Sequence, residues 1–101
     1  FGPSSDQDYS VEYLLKKMQI YWPKKSWNIL SAKKFYESGL LKLNCEKANL
    51  MLNWNSALNI DENIEFTMNW YKNFYEKKDI RLFTYEQIKL YENIFEERNV
   101  R

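Results

Sequence analysis

The stretch Leu40-Leu41-Lys42-Leu43-Asn44-Cys45-Glu46-Lys47-Ala48, which continues to Leu52-Asn53-Trp54, contains the clearest change of pattern in the chain. The apolar residues 40–43 predict a short β-strand. Residues 46–52 predict a helix of two turns, and the polar residues around Trp54 predict the turn that ends it. Because so short a helix is not stable alone in water, we expect this stretch to pack against other parts of the chain.

The N-terminal part predicts one helix and a second short strand. Ser10 is a suitable N-cap, and Pro23 ends the helical pattern. Residues 27–30 alternate well enough to predict a strand, and the connection 31–39 has the least regular pattern. The apolar positions that follow the helical period of 3.6 residues are Val11, Leu14, Leu15, Met18 and Tyr21 or Trp22.

The C-terminal part predicts two further helices. Asn59 followed by Glu62 is similar to a capping box and predicts the longest helix, over residues 60–77. Thr84 followed by Gln87 predicts the cap of a last helix, whose residues 96–101 should fray. The packed side of the longest helix is predicted to carry Ile60, Ile64, Thr67, Met68, Tyr71 and Phe74 or Tyr75, and that of the last helix Ile88, Tyr91 and Ile94 or Phe95.

Composition favours one small unit or a fragment of a larger domain. The chain has 101 residues, of which 45% are hydrophobic and 18% aromatic, so it can bury one modest core. The net charge of +1 gives no overall attraction to nucleic acid or to an anionic membrane. The single cysteine, Cys45, excludes an internal disulfide and is expected to be a small buried thiol. These features, with no apolar run long enough for a membrane span, favour a cytoplasmic location.

Few residues in the sequence suit catalysis or a cofactor. Histidine is absent, and Gly2 and Gly39 are the only glycines, so no glycine-rich loop for NAD is present. We interpret the acidic residues, including Asp61 and Glu62, as helix-start or surface groups. The four lysine doublets have acidic neighbours, which favours solvated faces over a nucleic-acid interface. The aromatic residues Trp54, Trp70, Tyr71, Phe74 and Tyr75 are predicted to lie in the core.

Several motifs in order along the chain resemble the C-terminal part of the sugar-nucleotide dehydratases, and especially the CDP-glucose 4,6-dehydratases of the extended short-chain dehydrogenase/reductase superfamily. The motifs are Phe1-Gly2-Pro3, Leu41-Lys42-Leu43, Thr67-Met68-Asn69-Trp70-Tyr71, Ile80-Arg81-Leu82-Phe83-Thr84 and Glu86-Gln87-Ile88. The resemblance covers nearly the whole chain. Where the family pattern has histidine, aspartate, glycine and proline, this sequence has, in that order, Tyr36, Asn44, Asn53 and Ser56.

The resemblance implies an α+β fold. Residues 1–101 would form the mostly helical small C-terminal substrate-binding subdomain, with short strands, of an enzyme whose Rossmann domain precedes it. That absent domain would bind NAD and carry all the catalytic residues. The whole enzyme would convert CDP-glucose to CDP-4-keto-6-deoxyglucose for surface polysaccharide such as O-antigen, and its subunits would assemble as a homo-oligomer. In isolation the chain would have no turnover, and its exposed apolar surface would cause low solubility or self-association.

The resemblance also implies where the substrate contacts lie. Glu37 occupies a family position before a strand, and its carboxylate would accept hydrogen bonds from ribose or from the cytosine amino group. Tyr36 would stack or donate a hydrogen bond, and Gly2 and Pro3 would let the backbone approach the nucleotide. No metal is expected.

Three other functions are compatible with the sequence. The chain would also fit a nucleotide-sugar epimerase of the same superfamily, which the resemblance does not separate from a dehydratase. A free-standing helical module that binds a protein through exposed aromatic residues is the main alternative outside the enzymes. A nucleic-acid-binding domain is a third, and steep salt dependence of single-strand binding would identify it.

Overall fold

The computed structural model describes residues 1–3, 8–23 and 43–99. These residues form four α-helices, and no strand occurs among them. In chain order the helices are α1 (Val11–Tyr21), α2 (Glu46–Leu52), α3 (Ile60–Tyr75) and α4 (Ile80–Asn99).

Helix α1 begins and ends where the sequence predicts. The Ser10 hydroxyl accepts a hydrogen bond from the backbone N–H of Tyr13 at 3.0 Å, which satisfies one of the free donors of the first turn. At the other end the N–H of Trp22 donates to the Met18 carbonyl, and Pro23 follows. The predicted cap and the predicted end of this helix are both confirmed.

Helix α2 also has its predicted bounds, and its last turn is closed by Asn53. This residue has φ 51° and ψ 36°, a left-handed conformation that glycine and asparagine adopt most easily. The N–H of Trp54 then donates to the Ala48 carbonyl at 3.3 Å, across six residues. At the start of α2, the side chain of Asn44 accepts from the N–H of Glu46 at 2.8 Å and turns the chain into the helix.

Helix α3 is capped as predicted at its start and ends two residues earlier than predicted. The Asn59 side chain accepts from the Glu62 N–H and donates to the Glu62 carboxylate, both at 2.9 Å. This reciprocal pairing confirms the capping pattern. The helix ends at Tyr75, and Lys77 has a positive φ of 57° in the turn that follows.

Helix α4 begins four residues before the predicted cap. Asp79 accepts from the N–H of Leu82 at 3.1 Å, and Thr84 lies inside the helix, where its hydroxyl donates to the Ile80 carbonyl at 2.6 Å. The prediction that Thr84 caps the helix was wrong because Asp79 is an equally good cap one turn earlier. Residues 96–99, which were predicted to fray, belong to α4, and residues 100–101 lie outside the described residues.

Helix α3 lies between α1 and α4. Both ends of α1 contact the corresponding ends of α3, through Tyr13 with Asp61 and Trp22 with Tyr75, so the two helices are parallel. The α4 helix folds back antiparallel, and the side chain of Gln87 donates to the Phe66 carbonyl at 2.8 Å. The buried apolar residues among those described lie on α3 or just before it: Ala57, Ile64 and Met68.

The predicted α+β fold is wrong, because the described residues are entirely helical. The predicted strand at residues 27–30 and most of the strand at residues 40–43 lie outside the described residues. Leu43, the described end of the second strand, is 71% exposed and leads into α2 without strand pairing. A strand requires a neighbour to pair its backbone N–H and C=O groups, whereas a helix satisfies them locally.

Candidate functional site

Gly2 and Pro3 enclose a groove with the helix α2 and its flanking residues, although the two parts are about forty residues apart in sequence. The ring of Phe1 meets the Trp54 ring edge to face, with centroids 5.1 Å apart. A side-chain carbon added to Gly2 would lie 3.2 Å from the Cys45 sulfur, so glycine permits this close approach. These contacts join the first residues of the chain to both ends of α2.

The lining of this groove is rich in side-chain amides. The groove has a volume of about 280 Å³, and we call it the amide groove. The side chain of Asn49 donates a hydrogen bond to that of Asn55, which fixes the turn beside Trp54 against the helix. Glu46 supplies the ionisable carboxylate. Its lining residues are Gly2, Pro3, Asn44, Cys45, Glu46, Asn49, Leu50, Trp54 and Asn55.

A second, more apolar hollow of about 410 Å³ lies on the other side of Cys45. Phe1, Met51 and Leu52 form much of its wall, and Lys47 is at its border. No residue of α2 is buried, and the side chains of Leu50 and Met51 are 81% and 72% exposed. The amide groove is therefore a polar site inside an apolar surface that the described residues leave open.

Two of the four predicted substrate contacts fall in this site. Gly2 and Pro3 both line the amide groove. Tyr36 and Glu37 lie outside the described residues. Glu46, Asn49 and Asn55 were not predicted as site residues. A carboxylate and an amide three residues apart on a predicted helix, followed by a polar turn, could have indicated a shared face.

The acidic residues at the start of α3 have structural partners, which supports their interpretation as helix-start groups. Asp61 accepts a hydrogen bond from the Tyr13 hydroxyl at 3.0 Å and lies 3.6 Å from the Lys17 ammonium. Glu62 binds the Arg98 guanidinium through two contacts of 2.7 Å, and Arg98 also donates to the Ala57 carbonyl. The hydrogen bond from Arg98 lowers the pKa of Glu62.

Tyr13 and Lys17 lie one turn apart on α1, and both contact Asp61. Desolvation and the hydrogen bond to Asp61 raise the pKa of Tyr13 above its ordinary value. A catalytic tyrosine base needs a pKa lowered towards neutrality, whereas this phenol is held in its protonated, donating form. The pair therefore joins α1 to α3 and is not arranged as an acid–base couple.

The aromatic residues predicted to lie in the core are only partly there. Trp54 and Trp70 are half-buried, and the Trp70 indole N–H donates to the Thr84 hydroxyl at 2.8 Å. Tyr71, Phe74 and Tyr75 are exposed, so their assignment to the core was wrong. The helical spacing was correct, but the ring contacts of these residues with Trp22 and Trp70 leave Tyr71 47%, Phe74 49% and Tyr75 63% exposed.

The described residues do not fit NAD or a metal ion. A dinucleotide site needs a glycine-rich turn before a helix, and α2 is preceded by Asn44 and Cys45 and lined by a carboxylate. No group of three potential metal ligands occurs within residues 1–3, 8–23 and 43–99. In the same part of the chain no helix combines the length and apolar character of a membrane span.

The basic doublets that lie within the described residues have acidic partners. Lys16 pairs with Glu12 at 3.2 Å, and Lys78 pairs with Glu76 at 3.0 Å. Together with the contact between Lys17 and Asp61, these pairs agree with solvated, mixed-charge faces. The doublets at residues 24–25 and 33–34 lie outside the described residues.

One comparison with known proteins gives a match. Over 92 residues, which are 90% of this chain, the sequence is 28% identical to a CDP-glucose 4,6-dehydratase of Salmonella typhimurium. The chain spans only 26% of the length of that relative. No protein-family profile matches the chain, and no solved structure matches it. The chain is thus similar to a part of a sugar-nucleotide dehydratase.

Proposed function

We propose that this chain is the C-terminal, nucleotide-sugar-binding part of an NAD-dependent sugar-nucleotide dehydratase of the CDP-glucose type. The observation that carries the proposal is the similarity over 92 residues to the Salmonella CDP-glucose 4,6-dehydratase. The motifs that resemble this family lie on α3, on α4 and on the first residues of the chain, except that residues 41–42 lie outside the described residues. NAD and the catalytic groups would belong to a Rossmann domain outside this chain, because the described residues do not suit them.

In this proposal the amide groove forms one wall of the substrate cleft. The amides of Asn49 and Asn55 would exchange hydrogen bonds with hydroxyl and ring groups of the nucleotide sugar, and Trp54 would offer an aromatic face. Such contacts lie away from the reacting carbons of the sugar. Their binding energy would orient the substrate and help to exclude water during the reaction.

The apolar surface around α2 supports a role as part of a larger protein. Phe1, Met51 and Leu52 are 76%, 72% and 65% exposed. A seven-residue helix without a buried side chain gains little stability from its contacts with the other described residues. We propose that the Rossmann domain covers this surface and that the amide groove opens at the boundary between the two domains.

A protein-interaction module remains the second candidate because of a different surface. The exposed rings of Phe74 and Tyr75 contact each other at the end of α3. Phe74 also stacks on Trp70, and Tyr75 contacts Trp22, so the four rings form one cluster. An aromatic cluster of this kind is common where one protein binds another. None of these four residues lines the amide groove, so the two candidates can be tested with different substitutions.

A chimera of the Salmonella relative tests the enzyme proposal. The matching segment of that enzyme is replaced by this chain, and formation of the 4-keto-6-deoxy product from CDP-glucose is measured by its absorbance in alkali. We expect turnover well above that of the enzyme with the segment deleted. In the chimera, Trp54→Ala should lower kcat/KM at least about tenfold, because an aromatic contact to a base is worth about 1–3 kcal/mol. Tyr85→Ala, an exposed change on α4, should have no effect.

Three other outcomes of these experiments would contradict the enzyme proposal or favour an alternative. A chimera that folds and retains NAD, but forms no product and binds no CDP-glucose, would contradict the proposal. A chain that prefers UDP-glucose to CDP-glucose would favour the epimerase alternative. The interaction module would be favoured by two results together. The chain would be a monodisperse monomer with no affinity for any nucleotide sugar, and it would bind a protein partner whose binding Phe74→Ala abolishes.

A further inference from the structure

Glu46 is the one residue with a carboxyl side chain among the described residues that line the amide groove. We propose that Glu46 determines base specificity: its carboxylate accepts a hydrogen bond from the exocyclic amino group of cytosine and so selects cytidine over uridine nucleotides. This inference rests on the proposed function, since it requires the groove to form part of the nucleotide-sugar cleft.

The charge of the groove determines which part of the ligand can enter it. A diphosphate beside Glu46 would meet a like charge, and the described lining contains no lysine or arginine. Lys47, the next residue, borders the apolar hollow on the other side of Cys45. The neutral nucleoside therefore fits the groove better than the diphosphate does.

The volume of the groove also favours the nucleoside as its occupant. Pockets that enclose a whole drug-sized ligand have volumes of about 300–1,000 Å³. At about 280 Å³ the amide groove is just below that range. It would hold a base with part of its ribose, while the diphosphate and the sugar continue into the rest of the cleft.

The hydrogen-bonding groups of the groove complement cytosine. The Asn44 oxygen accepts from the Glu46 N–H, so the Asn44 amide N–H groups are directed to other acceptors. The bond from Asn49 to Asn55 likewise leaves the N–H groups of Asn55 as donors. Cytosine presents an amino donor beside the N3 and O2 acceptors, and a carboxylate is the usual acceptor for that amino group. Uracil carries an oxygen in place of the amino group, which would face the carboxylate of Glu46 without a hydrogen bond.

Trp54 supplies the stacking surface that a base needs. The edge-to-face contact with Phe1 holds its ring, and Trp54 is half-buried beside the amides. Base–aromatic stacking accepts every base, so Trp54 gives affinity without selectivity. Selectivity is then left to Glu46 and its amide neighbours.

The test is a titration of the ¹⁵N-labelled 101-residue chain with CDP-glucose and, separately, UDP-glucose, followed by NMR shifts of the asparagine amides and the Trp54 indole. We expect tighter binding of CDP-glucose. Glu46→Gln should narrow the ratio of the two affinities by about tenfold or more, since one good base contact discriminates by about 1–3 kcal/mol. Glu46→Asp keeps the acidic first turn of α2 and should weaken CDP-glucose binding without improving that of UDP-glucose. Glu86→Gln, an exposed change on α4, is the matched control.

The outcomes separate this inference from the proposed function. If both nucleotides shift the groove signals equally, or if Glu46→Gln and Glu46→Asp leave the affinity ratio unchanged, the role of Glu46 is refuted while the enzyme proposal stands. If neither nucleotide shifts the groove signals although the chimera forms product, the groove is not the base site. If the chimera also forms no product, both proposals fail.

Discussion

The α3–α4 hairpin and the region around α2 differ in how their exposed groups are satisfied. In the hairpin, specific polar contacts join the two helices at both ends and in the middle, through Glu62 with Arg98, Trp70 with Thr84 and Gln87 with the Phe66 carbonyl. The α2 region has the amide groove as its main polar feature, and its largest apolar side chains are exposed. The hairpin is therefore stabilised by its own contacts, whereas the α2 region has an apolar surface that the described residues leave uncovered.

This difference indicates which residues matter for folding and which for function. Side chains that are buried on α3 should determine stability and leave ligand binding unchanged. Side chains on α2 should have little effect on the stability of the isolated chain.

Met68→Ala should cause the largest loss of stability. The side chain is only 5% exposed on the packed side of α3, and replacing a buried methionine by alanine usually costs about 2–5 kcal/mol. Chemical denaturation measured by circular dichroism gives the free energy of unfolding. In so small a core we expect the variant to be largely unfolded in modest denaturant.

Met51→Ala is the matched control, because this methionine is 72% exposed on α2. Its free energy of unfolding should stay within about 0.5 kcal/mol of the original chain. Equal losses for the two variants would show that α2 is packed in the isolated chain, and the contrast between the two regions would be lost.

The contact of Glu62 with Arg98 should make stability depend on pH. Because Arg98 lowers the pKa of Glu62 in the folded state, the folded chain binds fewer protons than the unfolded chain at mildly acidic pH. This contribution is complete above the ordinary carboxyl pKa and is lost as the pH falls through the lowered value. Arg98→Met should lower the stability at pH 7 and reduce its decrease between pH 5 and acid, as measured by thermal unfolding across that range.

Arg81→Met is a suitable control, since Arg81 lies over the exposed Tyr85 ring with 5.8 Å between guanidinium and ring centre. This variant should keep the full acid dependence. If Arg98→Met showed the same decrease in stability at acidic pH as the original chain, the contact between Glu62 and Arg98 would not stabilise the fold in solution.

The local features of the fold could be predicted from the sequence because caps and helical periods act over a few residues. Ser10, Asn59 and the bounds of α2 were identified in this way. Features that depend on contacts between helices could not be predicted in this way. Asp79 and Thr84 are both acceptable caps, and the choice between them depends on Thr84 meeting Trp70 across the hairpin. The contradicted α+β fold has the same origin, since strand pairing requires a partner that local sequence does not reveal.

The candidate site could be predicted only in part for a similar reason. Gly2 and Pro3 were identified through the resemblance, which relates residues by their order in the chain. The amides of Asn49 and Asn55 come together with Gly2 only because the first residues of the chain pack beside α2. A contact between residues so far apart has no periodic signal in the sequence, so the polar lining had to be found in the structure.

Position 53 allows a comparison of asparagine with the glycine that the family pattern has there, and it concerns the smallest expected effect. The left-handed conformation of Asn53 costs an ordinary residue about 1–2 kcal/mol, but glycine none and asparagine little. Asn53→Ala should therefore lower the stability of α2 and of the amide groove by about 1 kcal/mol. In Asn53→Gly the relief of strain is offset by about 0.4–1 kcal/mol of extra entropy in the unfolded chain, so the net change should be close to zero. Hydrogen exchange of the α2 amides would measure both effects locally. If alanine were tolerated as well as glycine, the turn would not require the left-handed conformation, and the departure from the family pattern would need another explanation.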